Sequence, residues 1–265
     1  MHRILVEGDY HEGHLLGITP PDWWNDYTRP WAEAFWNARE EYLAQLPRVD
    51  DHILNGDLID GPGRKDSAAH LTTDVVDQTE MAVATARRVR ARRRWVVKGT
   101  GYHTDYGGNL ERPVASELGT TAEDELRLEV HGRRLHLRHH VGRSDIPYGQ
   151  YTQLGKELIN DLLQGEFEGY PGADILVRSH VHYCARVSVA DAERGFMREA
   201  ITAPALQLRA PVTTGYVRKL RTWLYHVGEL LIEIDKTGEV YLRPHIIPIR
   251  LTASQLREYT CLTKG

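Results

Sequence analysis

A carboxylate and an imidazole stand two residues apart just after a short apolar run, as Asp9 and His11 in Leu5-Val6-Glu7-Gly8-Asp9-Tyr10-His11. In extended backbone, residues i and i+2 project to the same side, so this pair can close on one ion. A hard oxygen donor beside a borderline nitrogen suits Mn, Fe, Zn or Ni better than Mg or Ca. Taken alone, such a pair is common. Further strand-to-loop junctions carry donors of the same kind: Asp57 in Asn55-Gly56-Asp57-Leu58-Ile59-Asp60, Thr100 and His103 in Gly99-Thr100-Gly101-Tyr102-His103, His139 with His140, and His180 with His182. Strand ends are where functional groups converge in open α/β sheets. Donors at five successive junctions are too regular for scattered core histidines.

The elements that must position them can be read from periodicity. Strands are expected at Ile4 to Val6, Asp51 to Leu54, Trp95 to Lys98, Leu126 to Val130, Leu135 to His139 and Ile175 to Val177. Trp31, Ala34, Phe35, Ala38, Tyr42 and Leu43 recur at helical spacing before Pro47, and pack a helix onto the sheet. A long helix is expected from about Ser67 to Arg94, its arginine-rich last turns complementing the helix dipole. Shorter helices are expected near Asn109 to Leu118 and Gln150 to Leu163. Beyond Cys184, hairpins are expected from Ala185 to Ile201 and from Leu230 to Ile247.

Composition excludes several classes. The 265 residues, 41% apolar and 26% charged, suit a globular protein, and a net charge of −4 does not suggest one that coats nucleic acid or anionic membrane. No apolar run approaches the roughly 18–20 residues of a membrane span. Two cysteines, and no apolar leader in Met1 to Val6, make a cytoplasmic setting the expectation. With no internal repeat or low-complexity linker, one domain over 1–265 is expected: a ligand-bearing half to about 183, a β-rich half at about 184–250 forming a second sheet, and a tail from 251.

The order Gly8-Asp9-Tyr10-His11, Gly56-Asp57-Leu58-Ile59-Asp60, a glycine-and-histidine junction, a strand-end histidine and then His180-Val181-His182 resembles the calcineurin-like metallophosphoesterases, over roughly two-thirds of the chain. That family reads GDxH, GDxxD, GNHD/E, H and GHxH. Here Thr100 stands where the family has asparagine, His103 follows two residues later than usual, and Ser179 replaces the last glycine. The look of the variant motifs is closest to uncharacterised phage and prophage members.

The resemblance implies a four-layer α/β/β/α sandwich of two mixed β-sheets flanked by helices. It implies two divalent ions, with Mn the first choice and Fe, Zn, Ni or Co as others. Asp9, His11 and His182 would hold one ion, His139 and His180 the other, with Thr100 an addition and Asp57 bridging. Attack by a metal-bridging hydroxide, in line on phosphorus, would need no phosphoenzyme, and His103 would protonate the leaving alkoxide or hydrogen-bond a phosphoryl oxygen. Leu135, Leu137 and His139 share one strand face, which favours His139 over His140 as the ligand. His140, Asp60, Tyr10 and Asp105 would orient ligands, and Arg143 and Arg178 can clamp a phosphate.

The implied activity is phosphodiester hydrolysis on nucleotides or nucleic acid, with no membrane partner and, for a phage protein, in the host cytoplasm. A phosphomonoesterase on nucleotides or phosphoproteins is the runner-up. A degenerate site that only binds phosphate or nucleic acid is the alternative from another class. Gly99-Thr100-Gly101 lacks the third glycine of a dinucleotide loop, Gly61-Pro62-Gly63-Arg64-Lys65 lacks P-loop spacing, and no GxSxG is present.

Overall fold

The computed structural model of the chain describes residues 1–62, 69–101, 110–144, 146, 149–169, 171–209 and 225–263. Among the described residues, eleven strands form two sheets. The first has the order β11-β10-β1-β2-β3-β4 and the second β5-β6-β7-β9-β8. In the first sheet, β1 (His2–Glu7), β2 (Val49–Asn55), β3 (Ala91–Val97) and β4 (Ala122–Glu123) run parallel. The hairpin of β10 (Gly228–Ile234) and β11 (Val240–Ile246) adds to β1 antiparallel. In the second, β6 (Arg133–Leu137), β7 (Ile175–Arg178) and β9 (Phe196–Thr202) are parallel, edged antiparallel by β5 (Leu126–Val130) and β8 (Arg186–Asp191).

Alternation along the strands builds the layers. Ile4 and Val6 of β1, Ile53 of β2, Leu135 and Leu137 of β6, Ile175 and Val177 of β7 and Ile232 of β10 pack together in the core between the sheets. The opposite face of the first sheet, with Leu54 and Val96, packs on Trp31, Phe35, Ala82, Val114 and Tyr259. These come from α1 (Arg29–Gln45), α2 (Val75–Arg87), α3 (Glu111–Glu117) and α5 (Ala253–Leu262). The outer face of the second sheet, with Leu176 and Ala200, packs on Leu154 and Leu158 of α4 (Gln150–Glu168). The result is the four-layer α/β/β/α sandwich expected from the sequence.

Three local expectations change. The hairpins after Cys184 do not share one sheet: β8–β9 completes the second, while β10–β11 returns to the first beside β1, and the second sheet already begins at β5. The segment from 251 carries a helix with a Thr252–Gln255 capping box. The long helix expected to Arg94 ends at Arg87, and Ala91–Val97 pairs in register with β2. Arginine is a good helix former, but here acids and carbonyls on neighbouring elements compete successfully for it. Arg88 pairs with Glu40, Arg92 with Asp50 and Arg93 with Asp51, while Arg87, Arg90 and Arg94 donate to the carbonyls of Glu117, Leu46 and Val89. Among the described residues no helix is long and apolar enough to cross a membrane.

Candidate metal centre

Parallel β1, β2 and β3 deliver Asp9, His11, Asp57 and Thr100 from their C-terminal ends, and β6 and β7 deliver His139, His180 and His182 from the facing sheet. The loops are tied to one another by backbone bonds: Asp9 N to Gly56 O at 2.9 Å, His11 N to Asp57 O at 3.1 Å and Ser179 N to His139 O at 2.9 Å. Two clusters result, Asp9–His11–His182 and Asp57–His139–His180, each with one donor atom per residue and all three within 4.8 Å of one another. The clusters adjoin, because His139 Nε2 lies 3.9 Å from Asp9 Oδ1. The His180 amide also donates to Asp9 Oδ2 at 3.1 Å.

The backbone is strained where it presents these groups. Asp9, His11, Asp57, His180 and His182 have φ of 50°, 46°, 50°, 72° and 54°, and the other described non-glycine residue with positive φ is His131 in the β5–β6 turn. Such conformations cost of order 1–3 kcal/mol each and persist where surrounding structure enforces them. Close approach explains two of the motif glycines. A Cβ on Gly56 would lie 2.5 Å from the His139 ring, and one on Gly99 would lie 2.1 Å from Asp57 Oδ1.

Each cluster presents lone pairs inward. His11 Nδ1 is held by Asp60 Oδ1 at 2.8 Å and His182 Nδ1 by the Tyr225 hydroxyl at 3.0 Å, leaving both Nε2 atoms aimed at the cluster. Those two nitrogens are 3.3 Å apart. Two imidazole ligands of one tetrahedral ion, each at roughly 2.0–2.1 Å from it, stand about 3.3 Å from each other. His139 donates from Nδ1 to Asn55 O at 2.6 Å, so its Nε2 also faces inward, 3.0 Å from Asp57 Oδ2. Asp9 Oδ1 and His139 Nε2 are fully buried and make no aligned hydrogen bond, although His182 Nε2 approaches the former to 3.1 Å. Orphaned buried donors of mixed N and O type, with braced imidazoles, fit a pair of divalent cations.

The electrostatics agree. Burial opposes charge on Asp9, but His182 and His139 beside it hold its carboxyl down to about 2. Burial likewise opposes charge on His139, yet the Asp57 and Asp9 carboxylates push it up to about 10. The field between these carboxylates therefore favours positive charge at that point.

The other expected residues fall in different places. Asp60 touches His11 and, through Oδ2, His70 at 2.7 Å. Thr100 donates its amide to Asp57 Oδ1 at 2.6 Å, and its hydroxyl lies 3.1 and 3.2 Å from the two Asp57 oxygens. His140 is exposed, its ring tilted against His180 with centroids 4.9 Å apart. Arg143 is half-buried in the loop after β6. Arg178 is not brought to the site: it is 1% exposed and donates to Glu157 and to the His136 carbonyl, in a direction set by the α4 side of the sheet. Its strand position puts it on the face opposite Val177, so a phosphate clamp there is excluded by burial. His103 and Asp105 lie outside the described residues.

Several participants carried no sequence motif. Ser179, where the resemblance has glycine, is fully buried and accepts from Asn55 Nδ2 at 2.8 Å, fixing the residue whose carbonyl holds His139. Glu111, 1% exposed, accepts from the amides of Leu58 at 3.1 Å and Gly99 at 2.6 Å; burial, then the nearby Asp57, push it up to about 7. Beneath Asp9, the fully buried Glu7 accepts from Arg39, His52 and Tyr10, the last at 2.6 Å. A carboxylate closing the otherwise apolar run Ile4-Leu5-Val6-Glu7 is the one signal that the sequence offered for this network.

No family model matches the chain, and no curated protein matches it. Among solved structures, it is similar to a single mutant of Vps29 from Entamoeba histolytica, at 15% identity and a TM-score of 0.45, covering 92% of this chain and 99% of that one. It is also similar to an archaeal protein described as a novel phosphodiesterase, at 11% identity and a TM-score of 0.44, covering 91% and 98%. A third similarity is to a predicted phosphoesterase from Streptococcus pneumoniae, at 14% identity and a TM-score of 0.38, covering 94% of each chain.

Proposed function

We propose that the chain is a dinuclear metal-dependent phosphoesterase whose substrates are phosphodiesters of nucleotide or nucleic-acid type. The observation that carries this reading is the meeting of two Asp/His/His clusters, Asp9–His11–His182 and Asp57–His139–His180, at facing strand ends. Two divalent ions held there would lower the pKa of a shared water and neutralise phosphoryl charge. Asp9 and Asp57 would supply the anionic oxygens and the four histidines the nitrogens, one carboxylate to each cluster. Thr100, through its amide and hydroxyl, keeps the Asp57 carboxylate turned toward His139. Arg143 binds a phosphoryl oxygen from the rim, and His103 gives the leaving alkoxide its proton. The diester preference is taken from the motif resemblance, as is Mn as the native ion. A cytoplasmic setting is proposed from the two unpaired cysteines, Cys184 and Cys261.

Hydrolysis of bis(p-nitrophenyl) phosphate with added Mn, against Asp57→Asn, tests the reading. Metal-stimulated turnover that disappears in the variant is expected. An inert wild-type protein that binds an oligonucleotide tightly would overturn it in favour of a binding module, and turnover of p-nitrophenyl phosphate alone would replace the diester with a monoester.

A further inference from the structure

We propose that Glu111 is a positioning residue for the Asp57–His139–His180 cluster; the proposal rests on the metal-centre reading above. Glu111 opens α3, twelve residues beyond Gly99, yet its carboxylate is 1% exposed and spans two turns from different strands. One oxygen accepts from the amide of Leu58, immediately after Asp57, and the other accepts from the amide of Gly99, immediately before Thr100. Asp57 in turn accepts from the Thr100 amide at 2.6 Å. The two carboxylates therefore grip successive amides of one turn, Glu111 at Gly99 and Asp57 at Thr100. Glu111 also grips the far side of Asp57, through Leu58.

This arrangement has a mechanical consequence. Asp57 sits at φ 50°, a conformation that its own chain does not favour, and Gly99 approaches so closely that a Cβ there would collide with Asp57 Oδ1 and with its backbone nitrogen. The turn pair is held in that contact by the Glu111 carboxylate together with the Asp57–Thr100 bonds. With Oδ1 engaged by Thr100, Oδ2 is directed toward His139 Nε2 at 3.0 Å and His180 Nδ1 at 4.0 Å. Both amides that Glu111 holds flank Asp57 and the Thr100 that orients it, whereas Asp9, His11 and His182 are carried by other turns. Its influence is thus directed to one cluster. A carboxylate is required because both neighbours are N–H donors: an amide in its place offers one acceptor and turns an NH₂ group toward the other donor.

The test is calorimetric titration of Mn into the wild-type protein, Glu111→Gln and Glu111→Asp, with His180→Ala marking which binding step belongs to the Asp57 cluster and thermal melting as a fold control. Glu111→Gln is expected to weaken that step by about 10–100-fold, the range for outer hydrogen-bond partners of metal ligands, and to leave the other step within about twofold. Glu111→Asp, which keeps the charge but shortens the reach, should fall between. Equal weakening of both steps, no change in either, or failure of both variants to fold would overturn the proposal, since Glu111 would then be a general structural residue or none. A wild-type protein that binds no Mn would overturn the metal-centre reading together with the proposal, whereas two ions bound equally well in wild type and variants would overturn the proposal alone.

Discussion

The two clusters have the same donor types but are supported differently. Around Asp9–His11–His182 the bracing is by side chains: Asp60 on His11, Tyr225 on His182, and beneath them Glu7, Tyr10, His52 and Arg39 in a fully buried polar layer. Around Asp57–His139–His180 every brace has a backbone group at one end: the Asn55 carbonyl on His139, the Thr100 amide on Asp57, and the Glu111 carboxylate on the amides of both turns. His180 is also the most open donor, its side chain 21% exposed against 5% for His11 and 11% for His182. Preset imidazoles lose less entropy on binding, so the first cluster should be the tighter site and the second the more exchangeable one.

Several changes would break or sharpen that contrast. The largest effect is expected from Asp57→Asn, which should cut metal-stimulated phosphodiester turnover by about 10³-fold or more, because a neutral amide is a poor ligand in place of the one carboxylate of its cluster; initial rates at saturating Mn measure it. Next, Arg39→Met leaves Glu7 buried without its bidentate partner at 2.9 and 3.1 Å. Breaking such a pair costs about 3–5 kcal/mol, read by urea unfolding, and the accompanying loss of metal affinity should fall on the first cluster. Tyr225→Phe removes the hydroxyl from His182 Nδ1 while keeping the ring, and should weaken the first-cluster ion by about 10–100-fold with the second unchanged; a calorimetric titration separates the two steps.

The smallest effect lies away from both clusters. Asp51 is buried, which raises its pKa, but Arg93, Trp95 and His2 donate to it and hold it below the ordinary carboxylate value. A folded-state pKa below the unfolded one adds stability that is complete above the unfolded value, near 4, and is lost as pH falls through the folded value. Asp51→Asn should therefore flatten the acid limb of stability below about pH 4 without altering metal binding at neutral pH, as urea unfolding at several pH values will report.

Much of this was legible in the chain because the ligands sit at strand ends, where a two-residue period, a preceding glycine and an apolar run mark them locally. The pairs Asp9/His11 and His180/His182, and the choice of Leu135, Leu137 and His139 as one strand face, are readings of that kind. What escaped notice is long-range. Tyr225 meets His182 across 43 residues, Glu111 meets Leu58 across 53, and Arg39 meets Glu7 across 32, with no motif at either end. Arg178 shows the converse error. Adjacency to a ligand in sequence suggested a phosphate clamp, but a strand residue one step before a turn points to whichever face its parity dictates, and that face is filled by α4. Arg88 to Arg94 likewise read as a helix end because arginine tolerates helices, while the register with β2 and the acids opposite decided for a turn and a strand.

Anomalous diffraction at the Mn absorption edge, from Mn-soaked crystals, tests most directly whether each of the two clusters holds one divalent cation. Two peaks per chain are expected, one among Asp9, His11 and His182 and the other among Asp57, His139 and His180, with the higher occupancy at the first. Absence of both peaks, or Mn bound elsewhere on the chain with these side chains unliganded, would contradict it.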